Sequence, residues 1–160
     1  MRLLIGIMLL LAVLAAGQTS TAEPKGTMSH RASGTFDVKV APLEPYNKDD
    51  KAIGRFSLDK QFHGDLEGTS KGEMVGFGTG APGTSAGYVA IEKFTGKLAG
   101  HSGSFVLQHS TTMTKGTPDM NIFVVPDSGT GKLAGISGKM QIIIEAGKHS
   151  YVFDYSFPAK

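Results

Sequence analysis

Three stretches of this chain carry the letters of phosphate-binding or nucleophile motifs, and five histidines could act as ligands or bases. Gly78-x-Gly80-x-x-Gly83 matches the dinucleotide fingerprint. That motif works only where a helix N-terminus follows to receive the pyrophosphate. Here Pro82 and a strand-like Tyr88-Val-Ala-Ile91 follow, so a loop is expected. Gly68-Thr-Ser70-Lys-Gly72 spells the nucleophile elbow, which turns from a strand into a helix, whereas Ser70 opens a strand pattern. Ser128-Gly-Thr-Gly-Lys132-Leu133 is similar to a P-loop, but Pro126 takes the first glycine's place. Leu133 also replaces the hydroxyl that would hold Mg²⁺. His30, His63, His101, His109 and His149 include no pair at H-x-H or H-x-x-x-H spacing, and cysteine is absent. Neither a metal nor a cofactor is therefore expected.

A more specific constellation comes from side-chain parity. Lys139–Glu145 and Lys148–Phe157 flank Ala146-Gly147, a two-residue hairpin turn. Pairing across it sets Ile144 opposite His149, Ile142 opposite Tyr151 and Met140 opposite Phe153. The face carrying Met140, Ile142, Ile144, His149, Tyr151, Phe153, Tyr155 and Phe157 is the apolar one and should be buried. On other strands His109 shares a face with Phe105 and Leu107, and Glu92 shares one with Ala90 and Tyr88. The interior is thus expected to hold Glu92, His109, His149, Tyr88, Tyr151 and Tyr155, the candidate ligand-binding residues. Taken singly, each is most simply a core residue whose polar tip finds a hydrogen bond. An acid and two histidines in one lining raise the case for a pocket, with a carboxylate–histidine pair available for acid–base work.

The elements that must position these residues are strands. Phe36, Val38 and Val40 alternate with Asp37 and Lys39, and Phe56 and Leu58 with Arg55, Ser57 and Asp59. Six further segments lie near residues 69–77, 87–94, 103–110, 120–125, 139–145 and 149–157, separated by Gly- and Pro-rich breaks. No uninterrupted helical periodicity follows residue 22. Eight short strands predict an all-β fold, and an eight-stranded antiparallel β-barrel is favoured because closure leaves no exposed edge. The 22 glycines are about twice the usual ~7% share. Many fall in Gly-x-Leu-x-Gly-x-Ser, which recurs at 64–70, 96–102 and 131–137. The pattern predicts a repeated corner in which glycines take positive φ, leucine plugs the barrel end and serine bonds back to the backbone.

Arg2, the apolar run Leu3–Ala16 and the small residues Ser20-Thr21-Ala22 make residues 1–22 a signal peptide. Cleavage is expected before Glu23, with Ala15-Ala16-Gly17 as a second site. The run is shorter than the ~20 residues needed to span a bilayer, so no stable membrane insertion is expected after cleavage. The product would be exported, periplasmic or extracellular. Residues 23–32 are polar and read as a flexible lead-in, and residues 33–158 as one barrel domain. Sixteen basic against fourteen acidic side chains argue against nucleic acid as a partner.

Gly64-Asp-Leu-Glu-Gly-Thr-Ser70, Gly87-Tyr-Val-Ala90, Gly103-Ser-Phe-Val-Leu-Gln-His109, Val125-Pro126 before Ser128-Gly-Thr-Gly131, and His149-Ser-Tyr151 form a specific combination. Together they resemble an uncharacterised bacterial family known only as a domain of unknown function. The resemblance spans roughly Ala32 to Pro158. It implies a barrel akin to those of allene oxide cyclase and the dirigent proteins, and a cavity able to shape a small, mostly apolar molecule. It transfers no catalytic residue. Three readings stand. The first is a binding module for a small apolar or amphipathic ligand, which needs a cavity of ~300 Å³ or more. The second is an isomerase or cyclase using the same residues, which needs a carboxylate within ~3 Å of a histidine. The third is a structural or homo-oligomeric domain, joined through an outer patch of Val89, Ile91, Ile143 and Val152.

Overall fold

The structure, a computed structural model, describes residues 29–49, 52–78 and 81–159. Residues 1–22, expected to be a signal peptide, and residues 23–28 of the expected lead-in lie outside the described residues. The strands are β1 (Ser29–Leu43), β2 (Ile53–Gly64), β3 (Leu66–Phe77), β4 (Ala86–Leu98), β5 (His101–Thr114), β6 (Thr117–Val124), β7 (Thr130–Gly131), β8 (Ser137–Glu145) and β9 (Lys148–Ser156). The eight long ones run antiparallel in the ring β1-β2-β3-β4-β5-β6-β8-β9, and β9 pairs back to β1. The ring closes, in line with the expectation that closure leaves no exposed edge. The two-residue β7 is an addition: it pairs with Gly103 and Ser104 of β5, beyond the point where β6 has left that strand.

The β8–β9 hairpin has the register expected from its sequence, with Met140↔Phe153, Ile142↔Tyr151 and Ile144↔His149. Ala146 and Gly147 both adopt positive φ, 49° and 77°, matching the right-handed twist of the flanking strands. The three repeats are corners at one end of the barrel. Leu66, Leu98 and Leu133 are fully buried there, and Gly64, Gly100 and Gly135 turn with positive φ. The serine role differs from expectation. Ser70 Oγ donates into the barrel interior, to Glu92, and Ser137 Oγ pairs with Ser156 Oγ. Ser70 lies on an inward-facing register position two pleats from Leu66, so its hydroxyl points away from the backbone of the corner.

Above the leucines, aromatic rings fill the bore. Phe62, Phe94, Phe105, Phe153 and Tyr155 form a chain of contacts with centroids 5.1 to 5.6 Å apart, with Tyr151 edge-on to Phe62. Each fully buried ring of this kind stabilises by about 1.5–3 kcal/mol. This plug makes half of the barrel a solid core.

Part of the lead-in is strand. Ser29–Ala32 pairs with Ser156–Phe153 of β9, and Ala32 is buried. Its own residues show no apolar alternation, and it is ordered instead by its partner. Arg31 makes two bonds to Asp154, of 2.6 and 2.9 Å, and His30 stacks on Tyr155.

Candidate functional site

Away from the plug, the bore opens into a cleft of about 180 Å³. Its walls are apolar: Phe36, Val38, Leu58, Met74, Met120 and Ile142. Lys60, Tyr88, His109 and His149 supply the polar groups. Ile144 has the inward parity expected of it but stands at the mouth, 59% exposed. The cleft is smaller than the ~300 Å³ expected for a ligand-binding barrel. The aromatic plug occupies the rest of the bore. An engineered cavity of about 150 Å³ takes benzene, so this one matches a single ring with a substituent.

A charged cluster lies beneath the cleft. Glu92 on β4 is completely buried and Lys60 on β2 nearly so. Lys60 Nζ donates to Glu92 Oε1 at 2.7 Å, His109 Nε2 to the same oxygen at 2.8 Å, and Ser70 Oγ to Oε2 at 2.5 Å. Gly72, directly opposite on β3, lets the backbone that carries Glu92 approach closely. A Cβ there would stand 2.6 Å from the Cβ of Glu92 and collide with the carbonyl of Ile91. The Lys60 ammonium also lies 5.0 Å from the centroid of the Phe36 ring, which lines the cleft.

Burial alone would push the Glu92 carboxyl up. The hydrogen bond from His109 and the charge of Lys60 outweigh it and hold the group down to about 2. Glu92 is therefore an anion at neutral pH, acting as acceptor only. Because Nε2 faces that acceptor, a proton sits on Nε2. Among the described residues no group bonds Nδ1. Lys60 and Glu92 cancel in formal charge. Thr111, the next inward residue on β5, is 4% exposed, and its Oγ1 is buried without a hydrogen-bond partner. It pairs in register with Tyr88 and Met120, two residues of the cleft wall.

The structure brings Glu92 and His109 into contact and places His149 and Tyr88 on the cleft wall. Tyr151 and Tyr155 do not line it. Tyr151 belongs to the plug, where its hydroxyl accepts from Leu66 N–H at 2.8 Å, and Tyr155 packs between Phe153 and Phe157. Parity fixes which face of a strand looks inward but not the depth at which a residue sits, and β9 runs from mouth to plug. Lys60 and Ser70 were missed. Both were available from parity: Lys60 continues Phe56-x-Leu58 toward Phe62, and Ser70 follows Leu66 by four. A lysine's ordinary preference for solvent hid the first. On the outer wall Val89, Ile91 and Ile143 are exposed, while Val152 is half-buried.

A family model described as "Protein of unknown function (DUF3224)" matches residues 32–155. Among solved structures, a protein of unknown function from that family, from Shewanella oneidensis MR-1, is 46% identical. It superposes with a TM-score of 0.76, over 83% of this chain and 100% of that one. No curated protein matches the chain.

Proposed function

This chain belongs to the DUF3224 family, and we propose that it is an exported barrel that binds one small, largely apolar molecule in the cleft above Glu92. One observation carries the reading. An apolar-walled cleft opens directly over a buried Glu92–Lys60–His109 cluster that keeps unused hydrogen-bonding capacity. A buried ion pair rarely stabilises more than apolar residues of the same volume would. Its cost is therefore better explained by a task at the cleft than by folding. Export is supported by Arg2 and the apolar run Leu3–Ala16.

Acid–base catalysis by the same cluster is the second reading, favoured by the 2.8 Å contact between His109 and Glu92. In that reading His109 Nδ1 takes the proton and Glu92 orients the ring. Native mass spectrometry of gently purified protein tests the binding proposal. A non-covalent adduct small enough for one ring is expected, and it should vanish in Met74→Trp, which fills the cleft from β3. An adduct retained unchanged in that variant would overturn the assignment.

A further inference from the structure

We infer that Lys60 is a covalent site for a small carbonyl compound. An aldehyde about one ring in size enters the cleft and condenses reversibly with the Lys60 amine, forming a protonated Schiff base with Glu92 as counter-ion. The inference rests on the binding reading above and names the reactive group of its ligand.

Position gives the first argument. Among the described residues Lys60 is the one primary amine that lines the cleft, and 5% of its side chain is exposed. It points inward from β2, in register with Val38 on β1 and Ser70 on β3. Its Nζ stands 5.0 Å from the centroid of the Phe36 ring, beside the wall against which a ligand ring would pack. A lysine in an apolar pocket is the side chain suited to attack a carbonyl carbon. The apolar walls of Phe36, Val38 and Leu58 limit the water that would hydrolyse the product.

Charge conservation gives the second. The ammonium first gives one proton to water, and the free amine attacks the carbonyl carbon to form a carbinolamine. That intermediate takes a proton back as its hydroxyl leaves as water, and the C=N bond forms. Two of the three ammonium hydrogens are lost overall, and the positive charge returns to the nitrogen. Among the described residues Lys60 Nζ donates to one acceptor, Glu92 Oε1, at 2.7 Å. The single N–H of the Schiff base can keep that bond. Glu92 is meanwhile held by His109 and Ser70. Because the charge on the nitrogen is the same before and after, the balance holds in either protonation state of His109. Acylation by an ester would instead delete the cation buried against Glu92, which is costly.

The test incubates the wild-type protein with benzaldehyde and transfers it into urea containing sodium borohydride. Any Schiff base is reduced there to a stable benzylamine, whether or not the folded cleft admits the reductant. Peptide mass spectrometry then maps the modified lysines. Lys60 should be labelled at least about tenfold more than any other lysine, because the cleft raises the local aldehyde concentration. Excess cyclohexanol, a ring probe without a carbonyl, should suppress labelling of Lys60 alone. Its occupancy is followed by the methyl NMR signals of Met74 and Met120. Labelling of Lys60 no greater than that of exposed lysines, with saturable methyl shifts from cyclohexanol, overturns the Schiff-base inference and leaves the cleft reading standing. No preferential labelling of Lys60 and no saturable shift from either compound overturns both.

Discussion

Replacing Glu92 with Gln should strand a buried ammonium. Glu92 is 0% and Lys60 5% exposed at the side chain, with 2.7 Å between the charged atoms. Glutamine keeps the shape and one acceptor oxygen but removes the negative charge. Breaking a buried pair from one side costs about 3–5 kcal/mol, most of it the unpaired partner's desolvation. With a urea m-value of about 2 kcal/mol/M, the unfolding midpoint at pH 7 should fall by roughly 2 M. The double variant Glu92→Gln/Lys60→Met removes both charges and should recover most of that loss. The effect has a defined pH dependence. The Glu92 carboxyl lies at about 2 when folded, below its ordinary 4.5, so its stabilisation is fully present above pH 4.5. It is lost as pH falls toward 2, and its size is about 3 kcal/mol. The Glu92 contribution to the gap between wild type and Glu92→Gln should thus close as pH falls from 4.5 toward 2. A gap under about 1 kcal/mol at pH 7, or one that persists undiminished to pH 2, would refute the reasoning.

Tyr151→Phe should cost about 1–3 kcal/mol, because it leaves the buried Leu66 N–H without its acceptor. Urea unfolding reads that loss, and ring-probe affinity should not change, since Tyr151 lies in the plug. Gly72→Ala should destabilise by about 1–3 kcal/mol through collision with Ile91 and Glu92, and should also weaken probe binding by displacing the cluster. Gly100→Ala provides the contrast. No atom lies within 4 Å of its Cβ, so only its φ of 82° is penalised, by about 1–2 kcal/mol, with affinity unaffected. Leu133→Ala opens a cavity at the closed end and should cost about 2–5 kcal/mol by thermal or urea unfolding.

The barrel was legible because its strands alternate strictly and its corners repeat. Ala146-Gly147 fixed the register of β8 and β9 residue by residue, and Leu66, Leu98 and Leu133 announced a common end. Parity also turned Glu92 and His109 inward. What it could not supply was position along the barrel axis, which depends on the stagger between strands. Tyr151 and Tyr155 share a face with His149 yet lie in the plug, while His149 reaches the cleft. Lys60 escaped notice because its charge contradicts its register, and only Glu92 beyond β3 reconciles the two. The strand at Ser29–Ala32 was illegible for a related reason: its order comes from β9, not from its own pattern.

Locating a bound ring probe tests the cleft most directly. Intermolecular NOEs from saturating cyclohexanol should reach the methyl groups of Met74, Met120, Ile142 and Ile144. They should not reach Leu66 or Leu98 at the closed end. NOEs confined to Val75, Val89 and Ile91 on the outer wall, with none to the cleft methyls, would place binding outside the barrel and contradict the proposed function.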